Sequence, residues 1–224
     1  MIITIDGPAG TGKSTVAQTV ADRLRFDFLD TGAMYRAVGF EALRRNAKLD
    51  DARELTFIAE HCRIEFDYST KPPGVLLNSQ PVGHLLRGKD ATAAASFVAM
   101  VPTFREQLVK QQQAIGRSRA NLVTEGRDQG TVVFPKAELK FFLDATPRER
   151  AKRRAAQLRG RGEIVEYKEI LRDIIARDDR DRNRAVGPLI APMDAETIDT
   201  TCLTQADVIE RIISRTRQEA GRQA

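Results

Sequence analysis

The chain has 224 residues, a formal net charge of +5, and 42% hydrophobic and 30% charged residues. This is ordinary globular usage, on a chain long enough for one sizeable core or a core with an inserted subdomain, so disorder is not the default. No apolar run approaches the roughly 20 residues a membrane helix needs, and residues 1–6 carry no leader pattern, so a cytoplasmic protein without a membrane partner is expected.

Cys62 and Cys202 make no C-x-x-C pair and read as small core residues in a reducing compartment. With His61 and His84 as the only histidines, a zinc site lacks ligands. The pI of about 9.4 suits nucleic acid, but aromatics are 6% with no Trp, which leaves few platforms for stacking bases. Much of the excess is arginine between Arg148 and Arg184, and a small polyphosphate explains that as well as a nucleic acid does. No nucleic-acid partner is expected.

Short apolar runs alternate with helical patterns, which predicts an α/β fold with a five-stranded parallel sheet flanked by helices. The predicted strands are 2–6, 26–29, 122–125, 140–143 and 197–199. Residues 13–24 read as the helix after the first strand, with Val16, Val20 and Leu24 on one face. The rhythm breaks between Arg63 and Gly83, where 64–66 and 75–77 look like short strands joined by Pro72-Pro73-Gly74, so a small antiparallel sheet is expected. The division that follows is a core of residues 1–36 and 91–224 with 37–90 inserted. Later, Thr146-Pro147-Arg148-Glu149 combines a capping box with Pro at the first helical position, and Thr204 opens a last helix striped by Val208, Ile209, Ile212 and Ile213.

Gly7-Pro8-Ala9-Gly10-Thr11-Gly12-Lys13-Ser14, followed by Thr15, fits the Walker A pattern between a strand and a helix. Backbone amides and the helix N-terminus cradle phosphate, Lys13 reaches the β- and γ-phosphates, and the Ser14 hydroxyl sits on Mg²⁺. The overlapping Gly10-x-Gly12-x-x-Thr15 is a poor dinucleotide fingerprint, because the third small residue is missing. No Asn-Lys-x-Asp motif specifies guanine, and the chain is small for a motor or helicase.

Thr31 and Arg36 follow the second predicted strand, and Glu125-Gly126-Arg127-Asp128 follows the third, at the carboxyl ends where open α/β sheets bind ligands. Arg177, Asp181 and Arg184 lie at i, i+4 and i+7, so a helix puts them on one face. These segments offer arginines to one cleft for two phosphate-bearing substrates; a solvated, salt-bridged helix face is the alternative for residues 177–184.

Gly7 to Thr15, Asp30-Thr31-Gly32-Ala33-Met34-Tyr35-Arg36, Gly126-Arg127-Asp128-x-Gly130-Thr131-Val132-Val133-Phe134-Pro135 and Arg177-Asp178-Asp179-Arg180-Asp181-Arg182-Asn183-Arg184 together resemble bacterial cytidylate kinase over nearly the whole chain. The resemblance implies transfer of the γ-phosphoryl group of ATP to CMP or dCMP, with Mg²⁺, on a core with a short lid and a monophosphate-binding domain enlarged by an antiparallel sheet. It implies that Thr31, Arg36 and Arg127 hold the CMP phosphate, that Ser96, Arg105 and Asp128 read cytosine, that Arg177 and Asp181 hold the ribose, and that Arg184 completes the cleft. Thr31 stands where many relatives carry Ser, and Glu125 where many carry Asp.

Lys13, Arg127, Arg184 and a lid arginine are the expected catalytic charges. The lid is taken as about 148–165, and of Arg150, Arg153 and Arg154, Arg153 is chosen. Glu125 is a candidate for holding Mg²⁺ through water, or a plain surface carboxylate. A monomer is expected. The rivals are a small kinase for shikimate, AMP or dTMP, and an ATP-dependent nucleic-acid binder.

Overall fold

The computed structural model describes residues 1–223. β1 (Ile2–Asp6) enters the phosphate loop and then α1 (Lys13–Leu24). β2 (Asp27–Asp30) runs straight into α2 (Thr31–Arg44). α3 (Ala52–His61) leads to a small sheet of β3 (Ile64–Asp67), β4 (Gly74–Leu77) and β5 (Gln80–Pro81), all antiparallel. α4 (Lys89–Val98) and α5 (Pro102–Arg117) return the chain to β6 (Leu122–Gly126). A π-helical turn, Gln129–Val133, precedes β7 (Leu139–Asp144), then α6 (Pro147–Arg159), α7 (Tyr167–Asn183), β8 (Glu196–Asp199) and α8 (Gln205–Gln223).

The main sheet has five parallel strands in the order β2-β6-β1-β7-β8, as the alternating pattern requires. Ile3 and Ile5 are wholly buried with Val16 and Val20 of α1 and with Ile209 and Ile212 of α8; each such side chain contributes roughly 1.5–3 kcal/mol. A second cluster joins Leu29 and Leu122 to Met34 and Val38 of α2 and to Phe104 and Leu108 of α5. α6 and α7 pair over a separate small cluster that includes Ala151, Leu158, Ile170 and Ile174.

Three expectations are corrected in detail. β2 begins one residue later than predicted, because Phe26 donates its backbone N–H to Ala21 (2.9 Å) and Arg25 adopts φ 59°, so both belong to the C-terminal cap of α1. The small sheet has a third strand, β5, reached through Asn78 and Ser79, which both take positive φ in the tight turn after β4. Cys62 is buried as expected, whereas Cys202 is exposed in the turn between β8 and α8.

α2 is continuous across residues 36 and 37 and α4 across residues 90 and 91, so both expected boundaries fall inside helices. Gly39 on α2 lets α4 approach closely: a Cβ there would lie 3.0 Å from the Ala95 backbone nitrogen. Among the described residues, no helix is long and apolar enough to cross a membrane.

Candidate active site

Strand register gathers the site. Asp30 pairs with Glu125 and Asp6 with Gly126, so the loops after β1, β2 and β6 leave the sheet level with one another at its carboxyl edge. The phosphate loop turns tightly here: Gly7 has φ 144°, and a Cβ on it would meet the Leu143 carbonyl oxygen of β7 at 2.0 Å. α1 has Gly12 as its N-cap, with no side chain capping it, so its first amides face the loop's interior.

Lys13 is buried, and its Nζ donates to the Pro8 carbonyl (2.6 Å) and to Thr11 Oγ1 (3.4 Å). Burial, then Arg127, pushes the ammonium well below its ordinary value, with Glu125 opposing. Ser14 Oγ donates to Glu125 Oε1 at 2.8 Å, so the two candidate Mg²⁺ residues lie side by side. Glu125 is 4% exposed, which removes the plain surface carboxylate reading. Burial and the nearby Asp30 push its carboxyl upward, a site that a cation relieves.

The arginines expected at the acceptor converge. Arg127 Nε donates to Asp181 Oδ2 at 2.9 Å, and Arg184 lies 3.8 Å from both Asp181 Oδ1 and Asp128 Oδ1. Arg177 has a buried Nε without a hydrogen-bond partner; burial, then Arg127, lowers its pKa to about 10, with Arg36 and Arg180 adding to that and Asp181 opposing. Arg36 reaches the cluster from α2, held by Asp30 at 2.9 Å. Thr31 Oγ1 donates to the Glu125 carbonyl at 2.6 Å. Asp178 and Asp181 are buried, so this face of α7 is not a solvated one; the helix ends at Asn183, and Arg184, expected on the same helical face, is instead a buried, extended residue at its C-cap.

The residues assigned to cytosine sit beside this cluster. Arg105, 1% exposed, is paired with Asp128 and lies 5.3 Å over the Tyr35 ring. The Ser96 hydroxyl accepts from Arg180 Nε at 3.3 Å. Arg184 Nε donates to the Gly187 carbonyl, so the segment after α7 closes over Asp128.

The three lid arginines separate. Arg150 is wholly buried: Nη1 donates to the Ala9 carbonyl of the phosphate loop (3.0 Å), Nε donates to the Ala145 carbonyl (2.9 Å), and the guanidinium is paired with Asp178. Arg153 turns to the Thr200 hydroxyl (3.0 Å) and carbonyl beyond β8. Arg154 bonds Gln157 on its own helix at 2.6 Å. Sequence reasoning missed Asp178, because no periodicity links positions 150 and 178. It also missed Asp6, whose one signal is a carboxylate closing β1 directly before the glycine loop.

Residues 3–218 match the family model described as cytidylate kinase. The cytidylate kinase of Aeromonas salmonicida (strain A449) is 40% identical over 220 residues, covering 98% of this chain and 95% of that one. The bifunctional pantoate ligase/cytidylate kinase of Synechococcus sp. (strain JA-2-3B'a(2-13)) is 45% identical over 220 residues, covering 97% of this chain but 40% of that longer protein. A gluconokinase from Sinorhizobium meliloti 1021 superposes with a TM-score of 0.53 at 12% identity over 99% of this chain and 96% of that one, a likeness of fold alone. A phosphate loop facing a nest of arginines, on a chain matched almost from end to end, has one consistent reading: the chain belongs to the cytidylate kinase family.

Proposed function

We propose that the chain transfers the γ-phosphoryl group of ATP to CMP or dCMP, giving ADP and CDP or dCDP, with the roles below. The observation that carries this reading is geometric: Ser14 of the donor loop bonds Glu125 at 2.8 Å, and Arg127, two residues on, shares Asp181 with Arg184 at 2.9 and 3.8 Å. Two anionic nucleotides meeting end to end would neutralise that crowd of cations.

Residues Gly7 to Thr15 hold the ATP phosphates, and Lys13 exchanges the Pro8 carbonyl for phosphate oxygens. Thr31, Arg36 and Arg127 hold the acceptor phosphate. Arg177 and Asp181 take the ribose, and Arg184 bridges Asp181 and Asp128. The acceptor oxygen is already ionised near neutral pH, since a phosphomonoester's second pKa is about 6, so no general base is required. Positioning and charge neutralisation therefore carry the rate. Ser14 directly, and Glu125 through water, would hold Mg²⁺; the hard oxygen pair 2.8 Å apart suits it, and the ion supplies charge neutralisation across the ATP phosphates.

Asp128 with Arg105 and Ser96 complements cytosine, whose N4 amino group donates while N3 and O2 accept. Uracil presents a carbonyl to the carboxylate and leaves buried groups unpaired. Residues 37–90 serve as the monophosphate-binding insertion and about 148–165 as the lid. Of the lid arginines, Arg153 stays the choice for the transferring group only if closure frees it from Thr200. The setting proposed is a monomer in the cytoplasm, in pyrimidine nucleotide metabolism. An acceptor screen with ATP and Mg²⁺ tests the assignment: CMP and dCMP should exceed UMP, AMP, dTMP and shikimate, and faster turnover of AMP or shikimate would overturn it.

A further inference from the structure

Asp6, the last residue of β1, is wholly buried and has no part in the reading above. Its two carboxylate oxygens each accept one backbone N–H: Oδ1 from Gln129 at 2.9 Å and Oδ2 from Gly130 at 2.7 Å. These are the first two amides of the π-helical turn Gln129–Val133, whose N-cap is Asp128. The Asp128 side chain makes no capping bond there, because it is committed to Arg105 and Arg184. A carboxylate from a distant strand thus supplies what a local cap normally would.

Behind the turn, the Gln129 side chain accepts from Thr124 Oγ1 (2.9 Å) and donates to Gln112 (3.0 Å), so its first residue is held on both backbone and side chain. The arrangement is costly for Asp6. Burial raises its pKa to about 7, helped by Asp128, against the two amide bonds and Lys13. A strand-end threonine or serine would avoid that penalty, but each offers a single oxygen, whereas the carboxylate meets the two amides with one oxygen apiece.

We propose that Asp6 is a positioning residue for acceptor-base recognition: it fixes the backbone that carries Asp128 and ties it to Gly7, the first residue of the phosphate loop. The inference rests on the reading of Asp128 as the cytosine reader.

Steady-state kinetics with CMP and UMP on wild type, Asp6→Asn and Asp128→Asn test it. The Asp6→Asn carboxamide keeps one acceptor and turns an amino group against the second amide. The CMP-to-UMP ratio of kcat/KM should fall by about tenfold or more while the KM for ATP stays within about threefold. Asp128→Asn should lower the ratio as well. A wild-type ratio in Asp6→Asn beside a lowered ratio in Asp128→Asn overturns the positioning role and leaves the base reader standing. A wild-type ratio in Asp128→Asn overturns the base reading, and this inference with it. Equal losses with both acceptors and with ATP mark a merely structural residue and also overturn the proposal. Should circular dichroism show that Asp6→Asn does not fold, Asp6→Ser, whose hydroxyl accepts one amide, is put through the same comparison against the same criteria.

Discussion

Arg150 and Asp178 form a two-bond ion pair, 3.0 and 2.5 Å, in which the side chains are 1% and 2% exposed, and the same guanidinium holds the Ala9 carbonyl of the phosphate loop. Breaking such a pair strands a buried charge. Asp178→Ala should lower unfolding stability by about 3–5 kcal/mol. Urea denaturation checks this, and a loss below about 1 kcal/mol would show that Arg150 finds water instead.

Among the described residues, Lys13 Nζ hydrogen-bonds the Pro8 carbonyl and the Thr11 hydroxyl and no carboxylate. Its charge is therefore available to phosphate. Lys13→Ala should lower kcat by about a hundred- to a thousandfold, in the range of removing one preorganised donor. CMP binding, measured alone by calorimetry, should be largely retained. Equal loss of both would place Lys13 in the acceptor half of the site.

Glu125 touches Ser14 but is proposed to reach the metal through water. Glu125→Gln keeps the shape and removes the charge. The Mg²⁺ concentration for half-maximal rate should rise about tenfold, as for other outer ligands. A Mg²⁺ titration at saturating ATP reads it directly, and an unchanged midpoint rejects the assignment.

Asp181 gives a pH signature. Burial would raise its pKa, but Arg127, Arg177 and Arg184 outweigh that and hold it below the ordinary carboxylate value. With the folded value depressed, the unfolded chain takes up the proton first as pH falls. The stabilisation is therefore complete above the unfolded value of about 3.9 and is lost as pH drops through the folded value. Asp181→Asn should flatten the acid limb of the urea midpoint against pH. A variant that keeps the full acid slope would rule Asp181 out as its source.

Much of this arrangement was readable in the sequence, because the signals were local. The phosphate loop's helix was placed at Lys13–Leu24 from its apolar spacing, and Thr146 caps α6 by accepting from Glu149 N–H, as the capping box implied. What escaped is what depends on partners far apart in the chain. The π-helical turn after Asp128 is held by Asp6, more than a hundred positions earlier, so no window around Gln129 contains its cause. The two residues of β5 are too few for an alternation pattern, and its turn used Asn-Ser, where glycine would have signalled it. The arginines of the helix after Pro147 were visible in the sequence; which of them turned to the phosphate loop was decided by Asp178 on the next helix.

The uninterrupted run of α2 through residues 36 and 37 has a mechanical meaning. One rod carries Arg36 near its start and, a turn later, Gly39 wedged against α4, the helix that bears Ser96. On the roles proposed above, the phosphate end and the base end of the acceptor are therefore gripped from one rigid element and the helix packed on it, with no break in the helix between them.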